Sequence, residues 1–250
     1  MQKALVVVRL DCVAMPSLHL PRPLAALLAL LLALPGCAGT PPLSIPAGED
    51  PLQWQWDIDL LAAQSVPASS PVVFVGSSSI KGWTSLAADM APIPVLNCGF
   101  GGSRIFDTTW HLDRIVTPFA PRAVVVFAGT NDIAGESPRS AAYVEERFVE
   151  LVTRLRALGC EAPLLYLAIT MAPSREQHVE IVREANARIA ARAATMRGVS
   201  FVDASASFVD ASGRPDPKWF LQDRLHLGSA GYAEWTRVVR PALERVLEGR

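Results

Sequence analysis

The sequence predicts a three-layer α/β domain built on a doubly wound, five-stranded parallel sheet. Three observations carry that reading. Five short runs, Val72–Val75, Ile93–Asn97, Ala123–Ala128, Leu164–Ile169 and Val199–Val202, are candidate strands. All but the second are continuous apolar or β-branched stretches, the pattern of strands covered on both faces. The segments between them have helical patterns, and strands joined by helical crossovers give a parallel sheet with right-handed connections.

Taken in chain order, residues 1–37 read as an export segment outside the fold. Leu24–Leu34 is an eleven-residue apolar run with Arg22 just before it. A membrane-spanning helix needs about 20 residues, so this run has the length of a signal-peptide apolar region instead. Its end, Leu34-Pro35-Gly36-Cys37, resembles a bacterial lipobox, in which Cys37 would become the lipidated first residue; plain secretion is the alternative. Asp11 and Cys12 interrupt residues 1–14, and Met15 would open a more ordinary signal. The expected location is the periplasm, with a lipid anchor in the bacterial membrane, or the medium. Residues 38–50, rich in Pro and Gly, read as a tether, and 51–250 as the folded domain.

Within that domain Val144, Phe148, Leu151, Val152 and Leu155 recur at three and four residues and make one apolar stripe of a helix. Ser137-Pro138 has the look of its cap and first turn, and Gly159 of its stop. Residues 175–197 and 229–247 read as two more helices. The chain has 250 residues, 50% of them hydrophobic, and a net charge of −1. That is enough for one domain with a sizeable core. The near-neutral balance gives no electrostatic ground for a nucleic-acid partner. Cys98 and Cys160 are the only thiols outside the export segment. They fall at opposite ends of parallel strands, too far apart for a disulfide, so two free, buried thiols are expected.

Four short segments follow strands and so project from the carboxyl edge of the sheet, where open α/β folds bind ligands. They are Gly76-Ser77-Ser78-Ser79, Asn97–Ser103, Gly129-Thr130-Asn131-Asp132 and, farther along, Asp223-Arg224-Leu225-His226. Each alone has a commonplace reading. A Gly/Ser loop can cradle an anion, Gly-x-Gly-Gly can be a tight turn, and Asn-Asp often bonds only its own backbone. Together they hold what acyl transfer needs: a hydroxyl, an imidazole to take its proton, a carboxylate to orient the imidazole, and donors for an oxyanion. No His/Cys/Asp cluster has metal-ligand spacing, so no metal or cofactor is expected.

In this order the segments resemble the SGNH hydrolases of the GDSL esterase/lipase superfamily, over about residues 52–245. The resemblance implies a flavodoxin-like fold and a serine esterase. By position, it makes Ser78 the nucleophile, His226 the general base and Asp223 its orienting carboxylate. The oxyanion hole would be the Ser78 and Gly102 backbone N–H groups and the Asn131 side-chain amide. One position departs from the pattern, since Ser77 stands where the family usually has Asp. The implied substrate is a small-molecule or glycan ester with a short acyl group such as acetyl. A lysophospholipase or thioesterase, and a weakly catalytic glycan- or anion-binding protein on the same fold, are the alternatives. His178 reads as a solvated surface residue, His111 as structural, and Trp83, Trp110 and Trp219 as packing near the site-bearing edge.

Overall fold

Residues 42–249 are described here by a computed structural model; the export segment, Cys37 and the first residues of the tether lie outside the described residues. Five strands, β1 (Val72–Gly76), β2 (Val95–Gly99), β3 (Ala123–Phe127), β4 (Leu164–Leu167) and β5 (Val199–Val202), form one sheet in the order β2-β1-β3-β4-β5. Every pairing is parallel. The chain winds outward from β1 to β2, then back to β3 on the other side, which puts the topological switch point between β1 and β3.

Strand pleating sends alternate side chains into two separate cores. Val73, Val75, Val124, Val126 and Leu164 enter one, and Val72, Phe74, Val125, Leu165 and Leu167 the other. The first core is covered by α2 (Ile105–Trp110), α3 (Ala141–Ala157) and α4 (Val179–Ala193), with Ile58 of α1 (Gln55–Ala62) at its edge. The second is covered by Tyr232, Trp235, Val239 and Leu243 of α5 (Ser229–Glu248). These are the three expected layers.

The boundaries differ from expectation where local chemistry intervenes. β2 begins at Val95, two residues later than its apolar pattern, because Pro94 has no N–H for the ladder. The Pro94 carbonyl accepts from Val72 N (2.9 Å), and pairing with β1 runs from there to Gly99. β4 stops at Leu167 rather than Ile169. The Asn186 side-chain amide on α4 takes over from the ladder, accepting from Ile169 N (2.8 Å) and donating to Ile169 O (2.9 Å). The cap of α3 is Ser140, whose hydroxyl accepts from Tyr143 N (3.2 Å), and not Ser137. Gly159 does follow its end, in the left-handed region at φ 79°.

The largest departure is the helix expected over 175–197. Pro173–His178 is a 3₁₀ turn interrupted by non-helical backbone at Arg175, and α4 starts only at Val179. Cys98, in β2, and Cys160, ahead of β4, are free and buried, as expected. Burial pushes the Cys98 thiol up to about 12. Among the described tether residues is Glu49, whose buried carboxylate meets Arg104 (3.3 Å), Arg139 (3.6 Å) and the Tyr143 hydroxyl (2.8 Å).

Candidate active site

The site begins with a backbone demand at the end of β1. Gly76 has φ 135°, and a Cβ there would lie 2.0 Å from Phe127 O of the neighbouring strand. Only glycine fits, and the tight exit turns the chain sharply into the single helical turn Ser78–Lys81. Ser77 is the residue before that turn; it is buried, its N–H donates to Phe127 O (3.0 Å), and its carbonyl accepts from Ile80 and Lys81. Ser78, at the start of the turn, is half-buried and its hydroxyl faces the cleft over the switch point.

The imidazole arrives from a distant part of the chain. Asp223 Oδ1 accepts from the N–H groups of Leu225 and His226, both at 2.9 Å, closing a tight Asp223–His226 turn. Arg224 takes a left-handed conformation at φ 59° to complete it. Asp223 Oδ2 then accepts from His226 Nδ1 at 2.6 Å. That bond fixes the proton on Nδ1 and leaves the Nε2 lone pair free to accept. The Ser78 hydroxyl lies 2.9 Å from Nε2. The hydrogen bond from His226, followed by those from the Leu225 and His226 amides, holds the Asp223 carboxyl down at about 2.

The donors come from the ends of β2 and β3. Gly102 sits at φ 80° in the loop after β2, with the Trp54 ring packed under it, 2.9 Å from where a Cβ would be. The Asn131 amide, after β3, donates one N–H to Ser103 O (2.9 Å), which joins the two loops. Its second Nδ2 hydrogen is left over. Among the described residues, neither the Ser78 N–H nor the Gly102 N–H has a protein partner. The cleft beside Ser78 and Asn131 is lined further by Phe127, Thr170, Arg175 and Leu227.

Behind Asn131 lies a group of buried acids. Asp132 Oδ2 accepts from Ile105 N (3.2 Å) and pins the first turn of α2. Asp107 Oδ2 accepts from Arg104 N (2.8 Å) in a capping box. Burial first, with Glu49's charge adding in both and Asp107's adding at Asp132, raises Asp132 to about 7 and Asp107 to about 6. No group of three or more His, Cys, Asp or Glu among the described residues could hold a metal ion.

All five residues singled out for catalysis and the oxyanion, Ser78, Asp223, His226, Gly102 and Asn131, lie at this sheet edge, and Ser78, His226 and Asp223 are joined in one chain of hydrogen bonds. Cys37 lies outside the described residues. His111 is buried and donates Nε2–H to Pro51 O (2.9 Å), a structural role. His178 corrects the surface reading: it is buried, with Nε2–H donating to Gly135 O (3.1 Å). Trp83 is fully packed among Phe74, Tyr232 and Trp235. Trp110 packs on Phe106, and Trp219 on Phe208.

One site residue escaped the sequence reading. Arg175 reaches from the loop after β4, donating Nη1–H to Thr130 O (2.5 Å) and Nη2–H to Asn131 Oδ1 (3.0 Å). The helix expected over 175–197 conceals it. The available signals are Pro173, which starts rather than continues a helix, and position: the loop after β4 emerges at the same edge as the loops that carry Ser78, Gly102 and Asn131.

The profile of the GDSL-like lipase/acylhydrolase family matches residues 61–234. No curated protein matches the chain in sequence. Among solved structures, a protein of Bacteroides fragilis NCTC 9343 assigned provisionally to the acylhydrolases superimposes with a TM-score of 0.68 at 24% identity, over 80% of this chain and 99% of that one. A GDSL-like lipase of Bacteroides thetaiotaomicron VPI-5482 gives 0.66 at 20% identity, over 78% and 99%. A catalytic mutant of an acetylxylan esterase from Geobacillus stearothermophilus gives 0.54 at 15% identity, over 74% and 96%. At such identities the likeness is one of fold. With the family profile matched over most of its length, this chain belongs to the GDSL-like lipase/acylhydrolase family.

Proposed function

We propose that this protein is a serine esterase that removes short acyl groups from alcohols or sugars. The observation that carries the proposal is the hydrogen-bonded chain Asp223–His226–Ser78, at 2.6 and 2.9 Å, in which Nε2 is the free acceptor. In this reading His226 takes the Ser78 proton as Oγ attacks the ester carbonyl. The carbonyl oxygen becomes an oxyanion held by the Ser78 and Gly102 N–H groups and the spare Asn131 hydrogen. His226 returns the proton to the departing alcohol, leaving an acyl-enzyme. A water, deprotonated by His226, attacks the acyl carbon; collapse releases the acid and restores Ser78.

The structural neighbour whose name specifies an acetylxylan esterase agrees with a short acyl group. Hydrolysis of p-nitrophenyl acetate, with loss of activity when an organophosphate labels Ser78, tests the proposal. No turnover and no label would refute it. A panel of acyl chain lengths and thioesters separates it from a lysophospholipase or thioesterase; a rate rising steadily with chain length would overturn the short-acyl reading. The export and lipid-anchor proposal rests on the sequence of residues 24–37. Intact mass of the membrane-fraction protein tests it, and an unmodified N-terminus other than Cys37 would end the lipid-anchor reading.

A further inference from the structure

Asn131 is asked to hold an amide hydrogen over the cleft, yet an exposed asparagine side chain rotates and flips freely. The loop after β4 removes that freedom. Arg175 donates from one arm of its guanidinium to Thr130 O and from the other to Asn131 Oδ1, so that the fork spans one residue's backbone and the next one's side chain. Because Arg175 can only donate, the Asn131 atom facing it must be oxygen, and the NH₂ end must point away. One of those hydrogens goes to Ser103 O, which leaves the other as a donor of fixed direction. The same loop is also tied to the imidazole-bearing turn, since Ser174 N donates to Arg224 O (3.0 Å).

Charge gives the contact a second effect. Among the described residues Arg175 pairs with no carboxylate, and burial alone acts on it, lowering its proton affinity. A half-buried guanidinium without a counter-ion is costly, and a cation held on the oxygen of an amide polarises that amide's N–H.

We propose that Arg175 is the positioning residue of the oxyanion hole: it fixes the Asn131 amide in the orientation that presents N–H to the cleft and strengthens that donor. The proposal rests on the esterase reading, and its role runs through Asn131 rather than through contact with substrate. An anionic substrate group bound by the same guanidinium is the competing account, and it makes opposite kinetic predictions.

The test is a double-mutant cycle on p-nitrophenyl acetate hydrolysis, with near-ultraviolet circular dichroism to verify packing. One oxyanion donor is worth about 100- to 1,000-fold, so Arg175→Met should lower kcat by about 10- to 100-fold and leave KM within about twofold. In an Asn131→Ala background the same change should cost less than about twofold, because its target is already gone. Multiplying effects in the double variant, or a raised KM with kcat intact, would overturn the proposal. A second readout needs no turnover. In Ser78→Ala protein the Asn131 side-chain amide should give a sharp, displaced NMR signal that moves toward the free-asparagine position in Arg175→Met. Should that variant misfold, Arg175→Lys, which keeps the charge but lacks the fork, should shift the signal in the same direction. An amide signal unmoved by either substitution refutes the role of Arg175. Absence of Ser78 labelling in the unaltered protein would instead refute the esterase reading and leave the amide result to stand.

Discussion

Asp132 makes the protein's stability depend on pH in a direction opposite to that of most carboxylates. Its side chain is fully enclosed, one oxygen accepts from Ile105 N, and the other has no partner. Burial, with the charges of Glu49 and Asp107 adding, lifts it from an ordinary 3.8 to about 7. A group whose folded value is raised binds its proton more tightly when folded. Its stabilising contribution is therefore complete below the unfolded value near 3.8 and is lost as pH rises through about 7. At about 1.4 kcal/mol per unit, a rise of roughly three units amounts to about 4 kcal/mol between those limits. Asp132→Asn keeps a carbonyl oxygen for the Ile105 N–H and cannot ionise. The variant should match the unaltered protein near pH 4 and exceed it at pH 8 by up to about 4 kcal/mol. Urea unfolding at intervals from pH 4 to 8, with equal m-values required, measures the difference. A gap that does not change with pH, or an unaltered protein that is the more stable at pH 8, would refute the assignment of a buried, largely protonated Asp132.

Three further outcomes follow from the site and its supports. Ser78→Ala should abolish ester turnover while Ser77→Ala and Ser79→Ala keep much of it, because only the Ser78 hydroxyl meets Nε2; full activity in Ser78→Ala would remove it as nucleophile. Asn131→Ala should slow p-nitrophenyl acetate hydrolysis by about 100- to 1,000-fold at little cost in KM, as loss of one oxyanion donor does, and a loss confined to KM would count against that role. Gly76→Ala sets a methyl group 2.0 Å from Phe127 O in a left-handed position, so thermal unfolding should find it destabilised by more than about 3 kcal/mol; a melting temperature within a few degrees of the original would contradict the register of β1 against β3.

Burial on both faces is what makes a strand legible as an apolar run. That is why β1 and β3, buried along their whole length, lie within a residue of their hydrophobic patterns. β2, at the sheet edge and only partly buried, has a mixed pattern, and the pairing there is decided by where Pro94 loses its donor. The site was readable to the extent that its parts are local in sequence. Gly76 forces a turn, Asp223 and His226 close one tight loop, and Asn131 follows a buried strand. The edge argument then required only that strands be parallel.

What stayed hidden depends on side chains crossing between elements. The capping amide of Asn186 ends β4 from seventeen residues away, and nothing in the local pattern marks it. Nothing local marks Glu49, Asp107 and Asp132 as buried, since acids are rarely enclosed, and only the fold brings them together. Arg175 is the sharpest case, since helical spacing runs smoothly through it while the backbone there leaves the helix and the side chain turns to Thr130 and Asn131. The physical lesson is that periodicity reports which face is buried and says nothing about a long polar side chain that leaves its own element. A rule of position does better. In a parallel sheet every β-to-α loop opens at one edge, so the loop after β4 stood beside the other four on topology alone. Topology alone therefore groups its Arg175 with Ser78, Asn131 and His226, a placement that helical periodicity conceals.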